Sequence, residues 1–296
     1  MTNQSQYTIK MLVAAIIIST SSVWVKTAAV APSVSGFYRM FIGGTVLLAI
    51  CFIQRLRLWH NTKHLLWLFL AGFFFACDLF FWHRSIFFVG PGLATVLGNF
   101  QVFFMALAGY LFYREIIGLT FFIGLVSTMT GLFLMVGINW SDLTGDYQLG
   151  VIYGILTAVA YTGFMLSLRH VQTDESGLSA IANLGIASIF TALILFIELT
   201  FEGLDITLPN SQAWISLLIL GVFCQVIGWL LITQSMPKLS TSIVGVLLLL
   251  QPALSMLWDV LFFYRPMSKM DIIGLGMVLF GVYLATVKKR AKKSHL

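Results

Sequence analysis

Residues 76–115 read ACDLFFWHRSIFFVGPGLATVLGNFQVFFMALAGYLFYRE, and this stretch decides the fold. Its composition is apolar enough to cross a bilayer twice, yet it holds Asp78, His83, Asn99 and Gln101. Polar and ionisable side chains in hydrocarbon are costly unless they pair with one another or line a water-filled cavity. We therefore interpret Asp78 and His83 as functional candidates. The alternative interpretation places these side chains at helix ends, where the membrane interface hydrates them.

The rest of the chain has the same apolar character. Of its 296 residues, 59% are hydrophobic and only 9% are charged, which excludes an ordinary soluble globular protein. A helix needs about 20 apolar residues to cross a hydrocarbon core of about 30 Å. Ten such runs predict an all-α integral membrane fold of ten transmembrane helices without a soluble domain. The runs cover residues 9–30, 34–54, 65–83, 91–112, 116–137, 149–168, 178–199, 212–234, 240–263 and 270–287.

The distribution of lysine and arginine predicts the orientation. If the N-terminus is cytoplasmic, 12 of the 17 basic residues lie on the cytoplasmic side and 5 on the opposite side. The positive-inside rule then places both termini in the cytoplasm. We interpret the basic C-terminal tail, residues 288–293, as a topology anchor that contacts anionic lipid. A nucleic-acid patch is disfavoured because no DNA-binding domain accompanies the tail.

The two halves of the sequence are related by an internal repeat. A shift of 150 residues superimposes Ser85 on Ser235 and Gln101 on Gln251, and the glycines of the fifth and tenth helices also coincide. Each half holds five helices, an odd number, so the second half enters the membrane in the opposite orientation. We therefore predict two inverted five-helix repeats, residues 1–140 and 141–296, around a central cavity. Inverted repeats of this kind are typical of secondary transporters with a midplane substrate site.

No cofactor, metal site or disulfide is predicted. The three cysteines (Cys51, Cys77 and Cys224) fall within predicted helices and lack the paired spacing of metal ligands. A membrane-embedded enzyme would need a nucleophile with an adjacent base. The candidate for such a nucleophile–base pair is Ser85 with His83, but these residues are two apart and point to roughly opposite helix faces. We therefore expect that the protein is not an enzyme.

The candidate binding side chains follow from helical geometry. Asp78 and Trp82 share one face of the third helix, whereas Asn99 and Gln101 lie about 200° apart on a continuous helix, so at most one of these two should point fully at a cavity. Pro252 should kink the ninth helix and free the carbonyl at position 248. The predicted substrate-binding residues are Trp24, Asp78, Trp82, His83, Asn99, Gln101, Tyr161, Gln225, Trp229 and Gln251. Asp78 and His83 are also the candidates for proton coupling.

Two side chains near the predicted outer face, at the end of helix one and the beginning of helix two, keep alternatives open. Trp24 can equally belong to the aromatic belt at the membrane interface. Arg39 is interpreted as an interface anchor or as the partner of a carboxylate, with contact to a substrate anion as a minor alternative.

Four short motifs give the chain a family resemblance. They are D-x3-W-H-x-S-I from Asp78 to Ile86, VGPGLAT from Val89 to Thr95, NFQV from Asn99 to Val102, and Arg114-Glu115 before the glycines of the fifth helix. With the repeat, the chain resembles the EamA type of the drug/metabolite transporter superfamily, which includes YddG-like amino-acid exporters. The resemblance implies a cavity lined by helices one, three, four, six, eight and nine, with helices five and ten peripheral, in a bacterial inner membrane.

The sequence also departs from that family pattern. Val102 stands where the family often has proline in the fourth helix, and Arg265-Pro266 stand where the second copy would carry the acid matched by Glu115. The two halves are therefore not equivalent, and a mechanism that needs symmetric gating residues is in doubt.

These observations favour a secondary exporter of small metabolites, such as amino acids or similar amphipathic compounds, that works by alternating access. An uncoupled facilitator or channel for small solutes is the main alternative, and a membrane-embedded enzyme is the remote one. The expected partners are a small-molecule substrate and membrane lipid, without nucleic acid. The sequence is compatible with a monomer or a homodimer.

Overall fold

The computed structural model describes residues 3–136, 147–174, 178–264 and 266–286, and within these ranges the chain forms helices and their connections. The described ranges contain ten apolar helices, which confirms the predicted all-α membrane fold. They are α1 (Gln4–Ala28), α2 (Pro32–Ile53), α3 (Thr62–Val89), α4 (Leu93–Tyr113), α5 (Leu119–Val136), α6 (Tyr147–Thr173), α7 (Ala180–Glu202), α8 (Ser211–Lys238), α9 (Thr241–Phe263) and α10 (Lys269–Thr286). The backbone is helical without interruption over Thr62–Gly98.

Several helices extend beyond the apolar runs. α1 begins at Gln4 rather than residue 9, and α6 continues to Thr173 rather than ending at residue 168. Hydropathy detects only the part of a helix that lies in hydrocarbon, whereas the backbone stays helical into the interface until a cap or turn ends it. Polar caps set two of the starts: the side chains of Asn61 and Asn210 accept hydrogen bonds from His64 N and Ala213 N.

Small residues set the closest helix contacts. On α6, Gly150, Gly154, Ala158 and Thr162 are all buried, and a Cβ atom added at Gly154 would meet the side chain of Leu97 in α4. This stripe therefore packs α6 against the α3–α4 unit, because residues without large side chains allow close approach of two helices.

Helices α5 and α10 are paired in the same way. A Cβ atom added at Gly131 would lie 2.9 Å from the amide nitrogen of Val278, and Gly124 lies against Gly281. The two helices are thus in near backbone contact. Since Gly124 and Gly131 coincide with Gly274 and Gly281 under the shift of 150 residues, the same repeat positions form both sides of this contact.

The bundle has two faces, which we name by α1. The N-terminal face is where α1 begins, and it also carries Lys63, Glu115 and the start of α9. The far face is where α1 ends. Ion pairs join neighbouring helices there, between Lys26 and Asp259 at 3.5 Å and between Arg84 and Glu202 at 3.1 Å. Which face lies in the cytoplasm stays a prediction of the positive-inside rule.

Helices α4 and α9 are interrupted at equivalent positions. α9 is interrupted at Leu249, as Pro252 predicts, because proline has no N–H for the carbonyl at position 248. α4 is interrupted at Asn99–Phe100 without a proline. The Asn99 side chain instead donates to the Thr95 carbonyl at 2.7 Å, and Phe100 N bonds three residues back to Leu97 O at 3.0 Å. The shift of 150 places Asn99 on Leu249, so both halves are interrupted at the same repeat position.

Candidate functional site

A cavity lies between the interrupted parts of α4 and α9. Its inner part has a volume of about 260 Å³ and reaches Phe75 and Trp229, and its outer part has about 650 Å³ and extends to Asp259 near the far face. The two parts share Arg39 and Asn99 on their walls. A combined space of this size suits a small molecule rather than water alone.

An acidic and a basic side chain line the inner part together. Asp78 on α3 and Arg39 on α2 both line it, Asp78 is 7% exposed, and the two groups interact electrostatically. Hydrogen bonds on the side away from the cavity hold Arg39 in place. Its Nε donates to Gln225 Oε1 at 3.0 Å, and Gln225 Nε2 in turn donates to Ser188 Oγ at 3.1 Å. The π-helical segment Leu220–Gly228 of α8 carries Gln225. Buried charges of opposite sign favour a bound group that complements both.

Polar atoms without protein partners surround these charges. Among the described residues, Gln101 Oε1, Trp229 Nε1 and Gln251 Nε2 are buried and form no hydrogen bond, and all three residues line the inner cavity. A buried polar atom left unpaired costs about 1–3 kcal/mol. The Thr157 hydroxyl on the same wall is also buried and unpaired, so one acceptor, two donors and one hydroxyl remain for water or for a ligand in the cavity.

Aromatic rings form the apolar wall of the inner cavity. Phe75 stacks on Phe164 with ring centroids 4.4 Å apart, Phe164 lies 5.0 Å from Trp229, and Tyr161 lies 6.3 Å from Trp229. Three of these rings, Phe75, Tyr161 and Trp229, line the cavity itself. The cavity thus offers charges, hydrogen-bonding groups and a flat apolar surface, which is the composition that an amphipathic small molecule requires.

The structure brings most of the predicted binding residues together. Those on the wall of the inner part are Asp78, Trp82, Asn99, Gln101, Tyr161, Trp229 and Gln251. His83 lines the outer part, where its Nδ1 lies 3.1 Å from Ser33 Oγ. Asn99 and Gln101 both line the inner part, although the Asn99 side chain donates to the Thr95 carbonyl at 2.7 Å and α4 is interrupted at Asn99–Phe100. The expectation that at most one of the two points fully at the cavity stays a prediction.

Two predicted binding residues lie elsewhere. Trp24 packs on a separate apolar cluster that contains Leu217 and Cys224, and Gln225 lies behind Arg39 rather than on the cavity wall. Trp24 lies near the far end of α1, which fits the interfacial alternative for a tryptophan.

Arg39 was not among the predicted substrate-binding residues, although contact with a substrate anion was a minor alternative for it. Its position in the helix could have indicated a buried site, because Arg39 lies seven residues after the first residue of α2, which is about two turns into the helix. The cavity also has contributions from α2 and α5, through Arg39, Leu132 and Met135, beyond the six helices that the resemblance implied.

His83 and Ser85 have separate partners. The Ser85 hydroxyl is buried and donates to the Gly150 carbonyl at 2.8 Å, whereas His83 contacts Ser33. Ser85 therefore joins α3 to α6, and its hydrogen bond serves packing.

Comparisons with known proteins agree with this architecture. The EamA-like transporter family matches residues 7–137 and 148–287. The uncharacterized transporter YxxF of Bacillus subtilis (strain 168) is 25% identical over 210 residues, which are 70% of this chain and 62% of that protein, so the chain spans less than two thirds of this curated relative. A solved crystal structure of a protein with 19% sequence identity shares the fold, with a TM-score of 0.79 and coverage of 95% of this chain and 97% of that chain.

Proposed function

We propose that this protein, which belongs to the EamA-like transporter family, is a secondary transporter that exports small amphipathic metabolites by alternating access. Its family makes it a multi-pass membrane transporter, and the substrate class, direction and coupling are our proposal. One observation carries it above all: buried Asp78 and Arg39 line a single cavity together with polar atoms that have no protein partner.

The chemistry of the cavity matches a zwitterion such as an α-amino acid. Arg39 offers the terminal N–H groups of its guanidinium to a carboxylate, and Trp229 Nε1 and Gln251 Nε2 are further donors. Asp78 accepts from an ammonium group, for which Gln101 Oε1 is a second acceptor. A charged side chain in a cavity with apolar walls costs free energy unless it is paired. A ligand that carries both an ammonium and a carboxylate group pairs with Asp78 and Arg39 at the same time. The aromatic wall then contacts the apolar part of the substrate.

Export requires that the cavity open to each side of the membrane in turn. The cavity extends to the far face, and the positive-inside rule places the far face outside the cell. The state described here is then the one that releases substrate. The substrate would enter from the N-terminal face in a second state that is related to this one by movement of the two halves.

Asp78 and His83 are the groups proposed to link transport to a proton gradient. Both are ionisable side chains on the wall of the cavity, and both lie on α3. Gly228 and Thr233 occupy the corresponding positions of the second half. Proton-linked behaviour should therefore map to α3 alone.

Counterflow in proteoliposomes tests this proposal. Vesicles loaded with each unlabelled amino acid are diluted into the labelled compound, and we expect accumulation of amphipathic zwitterions by the wild type. Arg39→Gln and Asp78→Asn should each reduce the rate about 10- to 100-fold, because a hydrogen bond to a charged group contributes about 1.5–3 kcal/mol. Glu202→Gln is the matched control, since Glu202 lies outside the cavity in an ion pair on the far face.

The outcomes separate the alternatives. If no amino acid or related metabolite shows counterflow in the wild type, the exporter proposal fails. Downhill flux that a pH gradient leaves unchanged would favour the uncoupled facilitator. A gradient response that persists in Asp78→Asn would exclude Asp78 from proton coupling and leave His83 as the candidate.

A further inference from the structure

The start of α9 is held by a side chain from the other half of the protein. Glu115 follows α4, and its carboxylate accepts hydrogen bonds from the Ser242 hydroxyl at 2.6 Å, from Ser242 N at 3.1 Å and from Thr241 N. Thr241 is fully buried and Ser242 is 6% exposed. Three donors of one helix end thus converge on one carboxylate.

This contact replaces an ordinary helix cap. The first amides of a helix have no partner within the helix, and the helix dipole favours negative charge beside them. A serine at the N-cap normally supplies the missing acceptor. Ser240 stands at that position in α9, yet its side chain forms no capping bond. The cap therefore comes from Glu115, more than 120 residues earlier in the chain.

The end of α4 is shaped to direct Glu115 at this site. Arg114 adopts a left-handed conformation with φ of 53°, and Glu115 N donates to the Gly109 carbonyl at 3.0 Å. A Cβ atom at position 109 would lie 2.9 Å from Glu115 Cδ, so the carboxylate occupies space that only a glycine leaves open. The position of Glu115 is therefore determined by the backbone of α4.

A second charged side chain, a cation, holds the segment that precedes α9. Arg169 of α6 is 9% exposed and donates from one terminal nitrogen to the carbonyls of Met236 and Leu239, each at 2.8 Å. Its guanidinium lies 4.8 Å from the ring centre of Tyr113 at the end of α4. Glu115 and Arg169 thus fix the beginning of α9 to α4 from two sides.

Between these contacts and the cavity, α4 and α9 pack closely against each other. In the half of α9 before its interruption, Val244, Leu247 and Leu248 are at most 1% exposed, and a Cβ atom at Gly245 would be 3.3 Å from the side chains of Met105 and Val102 in α4. Beyond the interruptions, the other halves of α4 and α9 line the cavity. The same two helices therefore seal the N-terminal face and enclose the cavity that extends to the far face.

From this geometry we infer that Glu115 is a positioning residue that keeps the N-terminal face closed. Substrate cannot reach the cavity from that face until α4 and α9 separate, and separation requires that the carboxylate leave the end of α9. The inference rests on the alternating access proposed above. It assigns the closed state to one side chain of the first half, without a symmetric partner in the second.

Side-specific labelling of one cysteine tests this without any substrate. In a background with the three native cysteines replaced by alanine, Ser21→Cys places a thiol on both parts of the cavity wall. A membrane-impermeant methanethiosulfonate reagent is applied to right-side-out and to inside-out vesicles. We expect reaction from the far face alone, whereas adding Glu115→Gln should raise the N-terminal-face rate about tenfold, because an amide keeps one acceptor and turns an NH₂ group toward the donors.

Two further variants keep the test decisive. Ser242→Ala removes one of the three donors and should give a smaller increase, with the same sign. Asp271→Asn is the matched control, because Asp271 is also a carboxylate at a helix start, itself buried, but bonds within its own segment, to Ser268 N. The inference is overturned if Glu115→Gln and Ser242→Ala leave the labelling unchanged, or if Asp271→Asn changes it as much. Loss of substrate counterflow plays no part in this readout, so failure of the proposed function is seen separately.

Discussion

The two faces of the bundle are held by charged groups in different surroundings. At the N-terminal face, Glu115 and Arg169 bond to backbone groups of buried residues around the start of α9. At the far face, Lys26 and Asp259 form an ion pair in which the side chains are 54% and 30% exposed. Both faces therefore have charged contacts between helices, and Arg169 at the N-terminal face, 9% exposed, is more shielded from solvent than the Lys26–Asp259 pair.

That difference in burial explains which face is closed. An exposed ion pair contributes about 0–1 kcal/mol because water and salt screen it, whereas hydrogen bonds to a charged group contribute about 1.5–3 kcal/mol each. Breaking the exposed Lys26–Asp259 pair should therefore cost less than breaking the hydrogen bonds of Glu115 and Arg169. The number of ion pairs on a face says less about its stability than the burial of the groups they join.

The largest expected effect comes from removing the buried cation. Arg169→Met keeps the apolar length of the side chain but leaves the carbonyls of Met236 and Leu239 without their donor. We expect the free energy of unfolding to fall by roughly 3 kcal/mol. The thermal unfolding midpoint in detergent measures this. A midpoint equal to that of the wild type would show that the burial of this cation does not stabilise the N-terminal face.

A smaller effect is expected from a single methyl group at the end of α4. Gly109→Ala places a carbon 2.9 Å from Glu115 Cδ and should displace the carboxylate. Alanine also improves helix propensity by about 1 kcal/mol, so the expected net loss in unfolding free energy is about 1 kcal/mol. Thermal unfolding measures it, alongside the labelling of Ser21→Cys from the N-terminal face, which should increase.

The control for that substitution is Gly276→Ala in α10. Among the described residues, no atom beyond the chain neighbours and the nearby backbone of the same helix lies within 4 Å of the Cβ position there. Only the gain in helix propensity remains, so stability should rise by up to about 1 kcal/mol. Equal effects of the two substitutions would contradict the specific placement of Glu115.

The smallest effect is expected at the far face. Lys26→Met breaks the pair with Asp259 and should change the unfolding free energy by less than about 1 kcal/mol. Added salt should reduce even this difference between variant and wild type, because exposed pairs are screened within a Debye length of about 8–10 Å. A loss as large as that of Arg169→Met would remove the contrast between the two faces.

The sequence predicted the ten helices and much of the cavity wall for identifiable reasons. Apolar length reveals a membrane helix, and rare polar residues inside it, such as Asp78 and Gln251, stand out against that background. Interrupted helices were harder to predict. Pro252 predicted the interruption of α9. The interruption of α4 coincides with a side-chain hydrogen bond of Asn99, and an asparagine in the sequence is a weaker indication of a helix break than a proline.

The sequence by itself determined the fold class and the repeat that relates the two halves. Apolar segments long enough to cross a bilayer predict helices because backbone polar groups in lipid must be hydrogen-bonded within the segment, and matching residues under one shift reveal the repeat. Only the tertiary structure decided that Arg39 shares a cavity with Asp78 and that Glu115 caps α9. In both cases the partners are far apart in the chain, and the energy of a charge depends on what is buried around it rather than on its neighbours in sequence.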